Sequence, residues 1–119
     1  MTPTSHHIDL TYLKNMSGEN NELIIEMINI YKAQIPEFIE IMKKGVDDTD
    51  WEALASIAHK AKSSVAIMGI SYLSEALKEM EVRAKAKTDL ETIIMYVADF
   101  ERICLQSIVE LDEAVKNLK

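Results

Sequence analysis

The sequence predicts an all-α protein, an antiparallel up-down-up-down four-helix bundle with a short extra helix at its N-terminus. Apolar residues recur at three- and four-residue spacing along most of the 119 residues, which is the period of an amphipathic helix. Only three glycines and two prolines interrupt this pattern, and no segment alternates with the period of two that a strand would show. Short breaks between the stripes favour antiparallel neighbours that bury their apolar faces against one another.

The first two helices are delimited by capping and breaking residues. A short helix is expected over about residues 9–16, with Asp9 as its N-cap. A long apolar stripe predicts a second helix over about residues 19–44. Pro36 lies inside this stripe and should bend the helix without ending it, because the stripe keeps its phase afterwards. Gly45 is expected to close the helix.

The remaining helices begin at polar capping residues. Residues 49–52 have the form of a capping box and predict a third helix over about 51–68. Ser71 is placed to cap a fourth helix, which is expected to fray through the basic run at residues 83–87. A second capping box, at residues 88–91, predicts the start of a long final helix.

Composition limits the partners and the setting of the chain. A formal net charge of −7 argues against binding nucleic acid or an anionic membrane surface. No apolar run is long enough for a membrane span, and the first residues lack a signal-peptide core. We therefore expect a soluble, cytoplasmic, monomeric protein, with a flexible leader over residues 1–8 and one domain over residues 9–119.

Metal and cofactor sites are not expected. Cys104 is the only cysteine, so the chain can form neither an intrachain disulfide nor a cysteine-built metal site. Carboxylate-bridged iron in a bundle needs inward Glu-x-x-His pairs, but the residue three before His59 is Ser56. The pair His6-His7 lies in the leader and is interpreted as a solvated tail.

His59 is the only histidine within a predicted helix, and its position on that helix predicts an exposed side chain. At about 100° per residue, it lies about 160° from the centre of the apolar stripe. Its neighbours on the same face are mostly small: Ala55, Ser56, Lys62, Ser63 and Ala66. A neutral imidazole is a competent nucleophile toward a phosphoryl group, and Lys62 could neutralise phosphoryl oxygens. On this pattern alone, an ordinary surface histidine beside an ordinary lysine remains the alternative.

The residues around His59 resemble the signature of histidine-containing phosphotransfer (HPt) domains. Lys62 follows the histidine by three residues, small residues come next, and Gly69 lies ten residues after the histidine. The resemblance extends over nearly the whole chain, including residues 9–13, 34–36 and 50–51, which look typical of bacterial members.

The resemblance implies a phosphocarrier without kinase or phosphatase activity of its own, which relays phosphoryl groups between receiver-domain aspartates. His59 would be phosphorylated, Lys62 would stabilise the phosphoryl oxygens, Ser63 would let the receiver approach, and Gly69 would end the helix. Glu81 stands where many members carry a glutamine. A carboxylate there could orient the imidazole but would repel a nearby phosphoryl group, so its place in the site is left open.

The resemblance also implies the partners. Response-regulator receiver domains would dock on His59, its small neighbours and Ile67, and a hybrid sensor histidine kinase would belong to the same relay. No cofactor is expected on this chain, because the Mg²⁺ needed for transfer would sit in the receiver's acidic pocket. The alternative is a helical adaptor that docks receiver domains without being phosphorylated.

Overall fold

The computed structural model describes residues 8–118, and all regular structure within them is helical, as predicted. The predicted leader lies outside the described residues except for Ile8, and so does the pair His6-His7. The structure has five helices: α1 (Thr11–Met16), α2 (Asn21–Asp47), α3 (Trp51–Ile67), α4 (Ser71–Ala86) and α5 (Leu90–Leu118).

The four long helices pack around one apolar core. Each packs on its neighbour in the sequence, and α5 also packs on α2, so the four helices form a closed ring. The stripes meet inside this ring, where Tyr31, Leu54, Leu77 and Phe100 are almost completely buried. Along residues 8–118, no helix has both the length and the apolar character that crossing a membrane would require.

The second helix runs further than its sequence predicts. It begins after Asn20, whose side chain accepts a hydrogen bond from the Leu23 N–H, and it continues through Pro36. Gly45 does not close it, because α2 extends two residues beyond this glycine. A Cβ at Gly45 would lie 2.9 Å from Cδ2 of Leu54 on α3. The glycine therefore serves close packing between helices and not helix termination.

Two predicted helix starts are displaced by one residue. The N-cap of α1 is Leu10, and the Asp9 carboxylate instead accepts a hydrogen bond from the Thr11 N–H. The prediction of Asp9 as the N-cap is therefore wrong by one position. At α3 the cap is Asp50, the second residue of the predicted capping box, and its carboxylate accepts from the Ala53 N–H at 3.1 Å.

The fourth helix also differs from its prediction at both ends. Ser71 is the first helical residue and not the cap, since Ile70 occupies the N-cap position. The predicted fraying over residues 83–87 is wrong, because the helix stays regular as far as Ala86. Lys87 then ends it in the left-handed conformation, with φ 55°.

The turn between α3 and α4 requires a glycine. Gly69 has φ +72°, and a Cβ built on it would lie 2.2 Å from the backbone oxygen of Asp9. The Asp9 N–H donates to the Met68 carbonyl at 3.0 Å. Only glycine combines this backbone conformation with so close an approach of another segment. The glycine therefore lets the turn pack against the segment before α1, and the hydrogen bond from Asp9 holds the two together. This contact supports the junction of the two helices that carry the candidate site.

Candidate functional site

His59 lies on α3 with its side chain in solvent. The side chain is 71% exposed, in agreement with the position predicted from the apolar stripe. One ring nitrogen faces the protein: Nδ1 lies 3.1 Å from Oε2 of Glu81, which comes from α4. The histidine is therefore both accessible to a partner and oriented by the bundle.

Glu81 is a buried carboxylate that connects the two helices. It is only 7% exposed and meets three nitrogen-bearing side chains. Lys62 Nζ lies 2.9 Å from Oε1, and Lys85 Nζ lies 3.0 Å from Oε2, the oxygen that also faces His59. We call Glu81, His59, Lys62 and Lys85 the site cluster. The position of Glu81, left open by the sequence, is at its centre.

The electrostatics of the cluster keep Glu81 ionised. Hydrogen bonds from Lys62 and then from Lys85 lower the pKa of Glu81 from 4.5 to about 2, against the opposing effect of burial. A carboxylate paired with two ammonium groups is thus negatively charged at neutral pH. Buried charges in proteins are tolerated when they are paired in this way.

An ionised Glu81 determines where a neutral His59 carries its proton. A carboxylate can only accept hydrogen bonds, so the Nδ1–H of His59 must donate to Oε2 of Glu81. The lone pair of the neutral ring is then on Nε2. Since the ring is mostly exposed, a reactant in another protein can reach that nitrogen.

Most of the predicted neighbours of His59 are accessible. Ser56, Ser63 and Ala66 are exposed and Ile67 is half-buried. The Ser63 hydroxyl donates back to the Lys60 carbonyl at 3.3 Å, so it stays close to its own helix.

Ala55 departs from this pattern. It is buried in the core, so its expected place on the accessible face is wrong. The reason is that α3 packs against both α2 and α4, which buries a wider arc than its apolar stripe indicates.

Two shallow grooves flank the exposed face of α3. The groove toward α4 holds the histidine itself, and its lining includes His59, Lys62, Ser63, Ala66, Ser74 and Glu75. The groove toward α2 has more apolar residues in its lining, which includes Met27, Ile30, Gln34, Ser63, Ser64 and Ile67. Ser63 belongs to both grooves, so a small side chain stands on the ridge between them.

Two residues near the site were missed by sequence reasoning. Lys85 was assigned to a fraying basic run, although its spacing of four from Glu81 on one helix is a signal for an ion pair. Ile30 is 51% exposed in the apolar groove. It was overlooked because it lies between positions of the buried stripe of α2.

Metal binding and the free thiol of Cys104 are two other potential sources of chemistry within residues 8–118. Within residues 8–118, no group of three or more His, Cys, Asp or Glu side chains is arranged to hold a metal ion. Cys104 is buried, and this burial raises the pKa of its thiol to about 12, which suppresses the reactive thiolate.

The fold and the site together define a helical bundle with one exposed histidine that is oriented by a buried carboxylate. The family model of the Hpt domain matches residues 26–119. The chain belongs to the Hpt domain family, whose members are phosphocarrier modules of two-component phosphorelays and interact with receiver domains and kinases. Comparison with curated proteins and with solved structures finds no match.

Proposed function

We propose that this protein is a phosphorelay intermediate that accepts a phosphoryl group on His59 from one receiver aspartate and passes it to another. The observation that carries this proposal is the contact between exposed His59 and buried, ionised Glu81, which leaves the lone pair on Nε2. This arrangement favours a functional histidine, because an ordinary surface histidine would not require a buried carboxylate that is paired with two lysines. The chain itself would act as a carrier, without kinase or phosphatase activity.

The proposed transfer requires no proton movement at the attacking nitrogen. The Nε2 lone pair of His59 forms an N–P bond, the P–O bond of the acyl phosphate breaks, and the receiver aspartate leaves as a carboxylate. The ring then carries a positive charge, because Nδ1 keeps its proton. Glu81 faces that proton at 3.1 Å and would stabilise the imidazolium. The reverse steps deliver the group to the next receiver.

Lys62 is proposed to stabilise the phosphoryl oxygens. It lies one turn beyond His59 on the same face of α3 and is a third exposed, so its flexible stem can leave Glu81 and turn outward. In the free protein its ammonium group is held by Oε1 of Glu81. We expect it to exchange this partner for the phosphoryl group when one is present.

The receiver is proposed to dock over both grooves of α3. Small side chains at Ser56, Ser63 and Ala66 leave room around the imidazole, and Ile30 and Ile67 offer apolar contact toward α2. The Mg²⁺ ion that phosphoryl transfer uses would be held by the receiver, to which this chain adds the nucleophile and one cation. A transient contact of this kind is expected to bury about 1,200 Å² or less.

The proposal is tested by incubating the protein with a phosphorylated receiver domain and Mg²⁺. Acid-labile, alkali-stable label should appear on the wild type and be absent from His59→Gln. Because His59 is exposed and Lys85 still pairs with Oε2 of Glu81 in its absence, this variant should keep its helical circular dichroism and its free energy of unfolding to within about 0.5 kcal/mol.

The adaptor alternative gives a different result in the same experiment. Binding of a receiver without label on the wild type, with any receiver tested, would support docking without phosphorylation. A strongly unfolded His59→Gln variant would contradict the exposed position of the imidazole.

A further inference from the structure

Glu81 has more positive partners than a simple contact with the histidine requires. Oε1 accepts from Lys62 at 2.9 Å, while Oε2 is shared between His59 Nδ1 at 3.1 Å and Lys85 Nζ at 3.0 Å. Lys62 comes from the helix of the histidine, whereas Lys85 lies four residues after Glu81 on α4 and is 67% exposed. The two lysines therefore reach the carboxylate from different helices and on different oxygens.

The charges of the cluster change when a phosphoryl group is added. The group brings about two negative charges to the ring, next to a carboxylate that is already negative. If Lys62 turns to the phosphoryl oxygens, Oε1 of Glu81 loses its ammonium partner. Lys85 is then the ammonium group that remains on the carboxylate. The negative charges of the phosphoryl group and of Glu81 are then balanced by the positive charges of Lys62, Lys85 and the protonated ring. Without Lys85 the phosphorylated cluster carries one excess negative charge.

We propose that Lys85 is a positioning residue that neutralises Glu81 while Lys62 is engaged by the phosphoryl group. This inference rests on the proposed function and extends it to a residue outside the signature around His59. Lys85 does not touch the phosphoryl group. It acts through Glu81, by moderating how firmly this carboxylate holds the Nδ1 proton of the phosphorylated ring.

The charged groups that line the groove of His59 or pair with Glu81 come from both helices that form the site. Lys60 and Lys62 belong to α3, and Glu75, Lys78 and Lys85 belong to α4. Within residues 8–118, Glu81 forms ion pairs with His59, Lys62 and Lys85. Lys85 is therefore the group whose removal should most directly change the pairing of Glu81 after Lys62 has turned away.

Removal of Lys85 should make the phosphorylated histidine less stable. An unneutralised Glu81 holds the Nδ1 proton more tightly, so the protonated ring persists to higher pH. The phosphoryl group leaves a protonated ring more easily, because the ring departs as neutral imidazole. In Lys85→Gln we expect the pH at which the decay rate of the phosphorylated histidine is half its maximum to rise by about 0.5 units. The lifetime of the phosphorylated histidine at pH 7.5 should fall about threefold. These effects are modest because the pair of Lys85 with Glu81 is partly exposed to water.

The test uses phosphoramidate, so that it does not depend on finding a receiver. This donor transfers its phosphoryl group to Nε2 and releases ammonia, and phosphorus NMR follows formation and decay of the product. Wild type, Lys85→Gln, Glu81→Gln and the double variant are compared between pH 5 and 9. Lys43→Gln is the control, since Lys43 is also exposed and paired with a carboxylate, Glu101, but between α2 and α5.

Four outcomes are distinguished. The proposal is supported if Lys85→Gln shifts the pH profile of decay while Lys43→Gln does not, and if the shift disappears when Glu81→Gln is also present. An unchanged decay profile, or an equal shift in both backgrounds, overturns it. If the Lys85 shift is present but no receiver exchanges phosphoryl groups with the wild type, the relay function fails while the role of Lys85 stands. Failure of the wild type to react with phosphoramidate at all overturns both.

Discussion

Two clusters in this bundle each contain a buried polar side chain but differ in their access to solvent. The site cluster centres on Glu81, whose partners His59 and Lys85 extend into water. The second, which we call the core cluster, consists of Tyr31, Ser107 and Cys104, all of them buried. The Tyr31 hydroxyl lies 2.8 Å from Ser107 Oγ, and Ser107 in turn donates to the Cys104 carbonyl at 2.7 Å.

This difference in solvent access indicates which buried polar groups can take part in chemistry. In the core cluster each polar group is satisfied by another buried group, and burial raises the pKa of the Tyr31 hydroxyl well above its ordinary value. In the site cluster the buried carboxylate has a lowered pKa, and its three partners lie at least partly in solvent. The first arrangement lies within the core, and the second places a buried negative charge next to an exposed histidine.

The largest expected effect comes from a change in the site cluster and concerns the rate of phosphoryl transfer to His59. Lys62→Ala should slow phosphoryl transfer from a receiver to His59 about tenfold, since one charge-assisted contact to the phosphoryl oxygens is lost. Single-turnover transfer measured by quenched flow gives this rate. The nucleophile remains, so the label should still reach completion. A rate equal to that of the wild type would remove Lys62 from the proposed mechanism.

A smaller effect is expected on stability when the core cluster is changed. Since the Ser107 hydroxyl hydrogen points to the Cys104 carbonyl, Tyr31 is the donor to Ser107. Tyr31→Phe removes this donor and should lower the free energy of unfolding by about 1 kcal/mol, with transfer rates unchanged. Urea denaturation measures the loss, and Tyr12→Phe on the exposed first helix is the control. Slower transfer in Tyr31→Phe, with the fold intact, would contradict the separation of the clusters.

The sequence predicted the all-α class of the fold and the exposed position of His59 because both depend on local patterns. Helical periodicity placed His59 on the exposed face, and spacing along one helix placed Lys62 beside it. The close approach of Gly45 to Leu54 was not predictable, because it depends on where another helix lies. The burial of Ala55 has the same origin.

The contact of Glu81 with His59 marks the limit of such reasoning. The two residues are separated by 22 positions and belong to different helices, so no spacing rule brings them together. The resemblance to the family suggested the position but left its chemistry open, since a carboxylate replaces an amide there. Only the geometry shows that two lysines neutralise this carboxylate.

The smallest expected effect concerns the acid stability that the site cluster contributes. The pKa of Glu81 is lowered from 4.5 to about 2 in the folded protein, so its stabilising contribution is complete above about pH 4.5 and is lost as the pH falls toward 2. Replacing Glu81 by glutamine removes this titration. The difference in urea midpoint between wild type and Glu81→Gln should therefore be constant from pH 7 to 5 and shrink between pH 4.5 and 2. Its size should be modest, because the paired lysines are partly in water and screened. A difference that stays constant down to pH 2 would show that the carboxylate is not held by its lysines, and would weaken the assignment of the Nδ1 proton on which the proposed chemistry of His59 depends.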